Sequence, residues 1–550
     1  MAASRGLRPE WPLAAAFILL AAALRPWTAD VPLNDDWSYL IPTLRLAEEH
    51  ILRLTGDSPT THVLHVLVGA LWTKVWGGGI GGLKVLMLLW HFAGSLFLLR
   101  LLVEENVPES TALLGTLTYA GNPILLTLSA TFMTDIPYLT LSIISLFFYL
   151  RALRGENGRW ILYGSLAAAG AYLIKQLGLF LPAALTLTLW RGGRLRRGSL
   201  LLAWTPLAAA FAGHQLWYHF IHGPTWAGTA DGVYLRAFRL LGDPCALLKD
   251  GSLHAAGMFL CLALFLLPLL AGLAFSRPRK TRRRRPGLPL ALYGIAALGL
   301  VAGFGKFPYL ENSIYDTGLG TPTLAGTIDK TAGIFGWPLF WEGVTAVALL
   351  GGWALLTRLR SVLTERRREP AVLLLAFAAL LQLAVPLLTT RYFDRYTLYG
   401  LPALIGLLCL ITQRERFSAR AAWSVLALGV MIGIAGTADY IAWNQAKWRL
   451  GRSAIASGTE PAMIEGGHDW DLYWTYEKEM AKLLRSKPLQ EIREWEWLET
   501  QPRAARISFT PPKAGAAAAL EEPYETPLRL GPAYLYLYRS AQDQTTRDRK

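Results

Sequence analysis

Residues 371–412 read AVLLLAFAALLQLAVPLLT, TRYFDRY, TLYGLPALIGLLCLIT: two apolar runs, 371–389 and 397–412, joined by a seven-residue turn that carries two arginines and one aspartate. Apolar runs of about 17–25 residues are the length that crosses a bilayer as helix. Buried polar backbone in lipid leaves helices as the natural solution for such runs. The composition agrees. Of 550 residues, 53% are hydrophobic and only 17% charged, too little charge to coat a soluble domain of this size. The pattern predicts an all-α polytopic membrane protein, with a charged turn set against the lipid.

The same kind of run recurs along the chain. Thirteen spans are expected, at 11–27, 83–103, 109–127, 131–151, 160–175, 177–191, 199–219, 253–275, 288–304, 336–357, 371–389, 397–412 and 421–441. The formal charge of +15 sits largely in short loops between them, at 191–197, 277–285, 366–368 and 414–416. That is the positive-inside pattern, which sets topology and touches headgroups of membrane lipids. It accounts for the basicity, so no nucleic-acid partner is expected. Loop 104–108, with Glu104 and Glu105, is the exception. The first run follows Arg5 and Arg8 and has the length of a signal-peptide core, but Arg25, Pro26 and Trp27 stand where small cleavage-site residues belong, so a retained helix is expected. Cys245, Cys261 and Cys409 show no metal spacing and no pairing pattern.

Two domains follow: a transmembrane domain over 1–441, with a long outer loop at 28–82, and a C-terminal domain over 442–550 that an odd number of spans places outside. The tail is polar and rich in Trp and Glu, and LRLGPAYLYLYR at 528–539 alternates as a strand does, so a small α+β extracytoplasmic fold is expected there. No internal repeat is visible, which argues against transporters built from two related halves.

Polar residues gather at the outer ends of the expected spans. Asp35 and Asp36 lie in VPLNDDWSY, residues 31–39, just beyond the first run. Charge at a membrane boundary is costly and is usually kept for function. Thr134-Asp135 precedes Pro137; it reads either as a site aspartate or as a helix cap. Arg391, Arg395 and Tyr396 lie in the outer turn, against the positive-inside trend. They read as a fork for an anion or as a local pair with Asp394. Lys175 reads as a snorkelling lysine or as a second cation for the same anion. Lys306 and the stretch Tyr315–Gly320 are weaker candidates in loop 305–335, and His62 and His65 lack a third ligand in pattern. Outward carboxylates with outward cations suit a reaction on a lipid phosphate: a carboxylate as general base, cations on the departing phosphate.

The order and spacing of these motifs resemble the GT-C superfamily of integral-membrane glycosyltransferases, in its protein O-mannosyltransferase and lipid A aminoarabinose transferase branch. Asp35-Asp36 with Tyr39 is similar to the acidic pair of its first outer loop, Met133-Thr-Asp-Ile-Pro137 to its fourth-helix motif, and Asp394-Arg-Tyr to its late-helix motif. Ala446-Lys-Trp448 and Ile464-Glu-Gly-Gly-His-Asp-Trp470 are similar to a tail region of bacterial members, with His468 and Asp469 replacing an aromatic and a Glu. The resemblance spans about residues 10–480. It implies a polyprenyl-phosphate sugar donor, inversion at the anomeric carbon, and a glycan, lipid or protein acceptor. It makes Asp35 the general base with Asp36 as understudy, Asp135 a positioning group, and Lys175, Arg391 and Arg395 phosphate contacts. No cofactor or metal is expected. The Arg- and Ala-rich composition points to a bacterial inner membrane, with the active site facing the periplasm. The rival readings are a transporter or lipid flippase, which needs polar residues at mid-membrane and broken helices in matched halves, and a receptor that uses the tail for recognition.

Overall fold

The computed structural model describes residues 9–58, 60–155, 157–229, 243–275, 287–310, 323–324, 327–328, 337–384, 386–388, 392–493, 496–499, 503–511, 520–528 and 531–539. Loop segment 315–320 and the whole basic loop 277–285 lie outside them. The main helices are α1 (Glu10–Leu24), α2 (Asp36–Glu49), α3 (Val63–Trp76), α4 (Gly79–Glu104), α5 (Glu109–Ala120), α6 (Pro123–Ser129), α7 (Asp135–Gly155), α8 (Gly158–Tyr172), α9 (Phe180–Arg191) and α10 (Arg197–Trp217). They continue with α11 (Pro244–Phe265), α12 (Leu267–Ala274), α13 (Gly287–Phe304), α14 (Pro338–Glu365), α15 (Pro370–Ala384), α16 (Leu401–Ile411), α17 (Ala419–Ala456) and α18 (His468–Ser486).

Seven helical stretches among the described residues are long and apolar enough to cross a membrane: Glu10–Thr28, Gly79–Glu104, Asp135–Gly155, Leu248–Phe265, Pro338–Glu365, Pro370–Leu388 and Ala419–Ala456. Several other expected spans are broken. The run 109–127 divides into α5 and α6 at Gly121-Asn122-Pro123, where the Asn122 side chain accepts from the N–H groups of Ile124 (3.0 Å) and Leu125 (3.2 Å) and Pro123 occupies the first helical position. The run 253–275 divides at Leu266, ahead of Pro268. The α3 helix, within the long loop 28–82, is apolar and leaves Leu67, Leu71, Val75 and Trp76 exposed.

The acidic exception among the short loops has a structural explanation. Glu104 accepts from Arg151 Nε at 2.8 Å and from Arg154 Nη2 at 2.6 Å. The end of α4 and the end of α7 are thus clamped together, and the carboxylate is neutralised by two arginines in the last turns of α7.

The helix built on the last apolar run does not stop at 441. Helix α17 continues to Ala456, and Tyr440, Trp443, Lys447, Gly451 and Ala454 line its buried face. Two short strands, β1 (Thr323–Leu324) and β2 (Thr327–Ile328), form a separate hairpin, and the tail builds a four-stranded sheet on that extension, from β3 (Ile464–Glu465), β4 (Ala505–Ser508), β5 (Leu520–Tyr524) and β6 (Ala533–Arg539) in the order β3-β4-β6-β5. Pairing is parallel between β3 and β4 and antiparallel elsewhere. The alternation of 528–539 therefore appears as β6, with Ala533, Leu535 and Leu537 buried against Trp443 and Ile507. Helix α18 lies on α2: Trp37 packs on Tyr476 with ring centroids 5.0 Å apart, and Arg45 holds both oxygens of Glu477 at 2.6 and 2.7 Å. This docking places the tail beside the loop that carries the aspartate pair.

Candidate active site

The two adjacent aspartates have different surroundings. Asp35, at the N-cap of α2, keeps a quarter of its side chain open and is held at both oxygens: Arg395 Nη2 stands 3.3 Å from Oδ2, and His468 Nε2 stands 3.1 Å from Oδ1. Burial alone would raise its pKa. The His468 hydrogen bond and the Arg395 charge outweigh burial and hold the carboxyl well below the ordinary range. Asp36 is fully buried. Its Oδ1 accepts from the Phe132 N–H at 2.7 Å and its Oδ2 from the Leu33 N–H at 3.1 Å, so it ties the loop before α2 to the chain before α7. Burial pushes the Asp36 carboxyl up, against the charge of Lys84 and those two N–H groups. Lys84, buried within α4, donates to the carbonyls of Ala29 (2.6 Å) and Val31 (2.9 Å) and so fixes the same loop from below.

Beside this pair stands a second. Asp135, the first residue of α7, is fully buried; Lys175 Nζ approaches its Oδ1 at 3.3 Å and Tyr399 donates its hydroxyl to the same oxygen at 2.8 Å. Lys175 also lies 5.6 Å from the centre of the Tyr399 ring. Arg395 joins the two pairs, since its charge acts on both Asp35 and Asp135. It comes from the short 3-10 turn Asp394–Tyr399 and rests 5.1 Å over the Phe393 ring; Tyr396 stacks on Tyr399 at 5.7 Å. Its Nε and Nη1 are buried with no hydrogen-bond partner among the described residues, and the same holds for Asp135 Oδ2. Buried donors are nearly always satisfied. Two unsatisfied guanidinium nitrogens beside a half-open carboxylate therefore mark where an acceptor-rich, anionic group fits.

The structure thus brings together Asp35, Asp135, Lys175, Arg395 and Tyr396, with Asp36 directly beneath. Lys306 is exposed just past the end of α13, and Arg391 lies outside the described residues. His62 is buried, its Nδ1 2.8 Å from the Thr60 carbonyl oxygen; burial lowers its pKa to about 3. Among the described residues, no cluster of three or more His, Cys, Asp or Glu has the arrangement of a metal site.

His468 is the site residue that reading the motifs passed over. The motif around it explains how it arrives. Asp469 takes the Lys447 ammonium and the Trp448 indole N–H (2.8 Å), pinning the start of α18 to α17. Asp471 Oδ1 accepts from the Gly466 N–H at 2.9 Å. Gly466 has no room for a Cβ, which would stand 2.5 Å from Trp470, and Gly467 has φ +86°, which favours glycine. Gly-Gly-His-Asp-Trp is a tight entry to a helix whose first side chain points at Asp35.

Residues 63–217 match the family model described as dolichyl-phosphate-mannose-protein mannosyltransferase. That stretch holds Asp135 and Lys175, and the match bears out the resemblance read from the motifs over that part of the chain. No curated protein matches the chain. Among solved structures the chain is similar to ArnT from Cupriavidus metallidurans bound to undecaprenyl phosphate, at 14% identity and TM-score 0.40, covering 95% of this chain and 97% of that one. The apo state of the same protein gives 14% identity and TM-score 0.38, over 95% and 98%. The arabinosyltransferase EmbB from Mycobacterium smegmatis gives 16% identity and TM-score 0.33, over 80% of this chain and 42% of that one.

Proposed function

We propose that this chain is an integral-membrane glycosyltransferase that moves a sugar from a polyprenyl-phosphate carrier to an acceptor on the outer face of a membrane, with Asp35 as general base. The observation that carries the reading is the Asp35–Arg395 contact of 3.3 Å together with the two unpartnered guanidinium nitrogens next to it. A base and a phosphate-binding cation stand close enough to serve the two ends of one displacement.

In this reading the acceptor hydroxyl or amine attacks the anomeric carbon from the face opposite the phosphate. The new bond joins the acceptor to that carbon, and the bond from the carbon to the phosphate oxygen breaks. The acceptor's proton passes to Asp35, and the electron pair leaves on the polyprenyl phosphate. Arg395 and Lys175 receive that charge in a water-poor site, where fixed cations act most strongly. Displacement from behind inverts the sugar. Asp135 holds Lys175 and Tyr399 in place, and Asp36 with Lys84 holds the loop that presents Asp35. In this reading the cations that serve the departing phosphate are protein side chains, with no metal. The arginine-rich short loops support an outward-facing site, and the Arg- and Ala-rich composition supports a bacterial inner membrane.

The test is a deletion strain. Mass spectrometry of its envelope glycans and glycoproteins shows one sugar modification missing, restored by the wild-type chain and not by Asp35→Asn. Full restoration by Asp35→Asn would remove the base from the proposal.

A further inference from the structure

We infer that His468 is a positioning residue of this site: from the tail domain it grips Asp35 at Oδ1 while Arg395 grips Oδ2, so that the plane and the free lone pairs of the base are set by two distant parts of the chain. The inference rests on the glycosyltransferase reading for what the base does, but not for the contact itself.

The geometry is specific. An ionised Asp35 can only accept, so His468 Nε2 must carry the proton it shares at 3.1 Å. The ring is delivered by a folded device rather than by a loose loop: Asp469 on Lys447 and Trp448, Asp471 on the Gly466 N–H, and the close fit of Gly466 under Trp470. Further along α18, Tyr476 on Trp37 and Glu477 on Arg45 fix the same helix to α2, the helix that Asp35 caps. The dyad is thus triangulated from both ends of the α2–α18 contact.

The groups that face His468 are Asp35, Asp57 and Asp469, with Arg395 across the carboxylate. Burial lowers the imidazole's proton affinity; the hydrogen bond to Asp35 and the three carboxylates more than offset it, and the pKa lies above the ordinary histidine value. A protonated ring weakens Asp35 as a base and a neutral ring restores it. Transfer should therefore rise with pH through the titration of His468.

Two arms test this on the full-length protein in nanodiscs. In the first, histidine-labelled NMR follows the His468 titration in wild type and in Asp35→Asn, with His468→Gln identifying the signal. The midpoint falls toward the ordinary value in Asp35→Asn; an unmoved midpoint overturns the inference whether or not transfer is found. In the second, undecaprenyl-phosphate donors carrying mannose, aminoarabinose, galacturonate or arabinose are offered. His468→Leu lowers kcat about tenfold or more, the loss expected for a hydrogen bond to a charged group, with donor KM little changed. His468→Gln keeps a donor near the Nε2 position, retains most of kcat, and flattens the acid limb of the pH profile. Wild-type kcat and pH profile in His468→Leu would overturn the inference. If no donor supports transfer in the wild type, the functional reading fails separately, and the NMR arm still decides the dyad.

Discussion

Substituting the adjacent aspartates one at a time separates base from scaffold. Both oxygens of Asp36 accept buried backbone N–H groups, from Phe132 at 2.7 Å and Leu33 at 3.1 Å. In Asp36→Asn one oxygen survives and the other becomes an NH2 that faces an N–H. Each hydrogen bond to a charged acceptor contributes about 1.5–3 kcal/mol, and an orphaned buried donor costs a similar amount. The substitution should cost about 3 kcal/mol, with transfer reduced because the loop bearing Asp35 loosens. In Asp35→Asn the amide oxygen still accepts from Arg395 or His468, and the position is partly open to water. The cost should be about 1 kcal/mol or less, with transfer abolished. SDS-titration unfolding in mixed micelles gives the stability difference, and transfer from a polyprenyl-phosphate sugar gives the other axis. Equal stability losses would refute the division of roles. So would a stable Asp36→Asn that has lost transfer beside an Asp35→Asn that keeps it.

Three further outcomes follow from the same geometry. Arg395→Lys keeps a charge but loses the fork, so kcat/KM for the donor should fall by about tenfold to a hundredfold while the protein still folds; a wild-type value would show that the free nitrogens do not meet the phosphate. Lys175→Met strands a fully buried carboxylate at Asp135 and should cost about 3–5 kcal/mol; with Asp135→Asn added, the double variant should cost less than the sum of the singles by at least about 1 kcal/mol, and strict additivity in the same unfolding titration would break the pair. Stability should also follow pH. Asp35 is depressed, so its contribution is present above the unfolded value of about 3.8 and is lost as pH falls toward its folded value; His468 is raised, so its contribution is present below the unfolded value of 6.5 and is lost as pH rises through its folded value. The raised Asp36 carboxyl adds its own decline as pH rises, so His468→Gln should weaken the alkaline-side decline in unfolding midpoints without abolishing it; a decline of unchanged size in His468→Gln refutes the assignment.

The site was legible where polar residues interrupt apolar runs. Asp35, Asp135 and Arg395 each stand at the end of such a run, and a charge there is conspicuous because it is costly. Lys84 gave the same signal, a lone lysine in the run 83–103, but its partners are the carbonyls of Ala29 and Val31, and backbone acceptors leave no trace in a sequence. His468 was hidden for another reason. It lies 433 residues from Asp35, in a polar region where a histidine is unremarkable, and only the glycine pair ahead of it marked a special backbone. The end of the last helix was readable but masked by hydropathy. The apolar run stops near 441, while a buried stripe at 440, 443, 447, 451 and 454 keeps the helical period beyond it. Hydropathy likewise concealed the break at Asn122-Pro123, although a cap residue followed by proline is a standard helix start.

What the charged residues share is their place in the local backbone. Asp35 caps α2, Asp135 opens α7, Asp394 and Arg395 open a 3-10 turn, and His468 opens α18. Helix starts leave N–H groups unpaired and carry partial positive charge, so the site collects positive potential from main chain as well as from Arg395 and Lys175. That potential helps keep Asp35 ionised, as the proposed base must be before it acts, but it also weakens Asp35 as a proton acceptor. Arg395 offers the release. A phosphate that takes its free Nε and Nη1 adds negative charge beside Asp35 and draws on the guanidinium charge that depresses it. Both effects raise the proton affinity of the carboxylate. In the proposed reading, donor binding and base strength are linked through one side chain, and Asp35 gains basicity when the donor phosphate is in place.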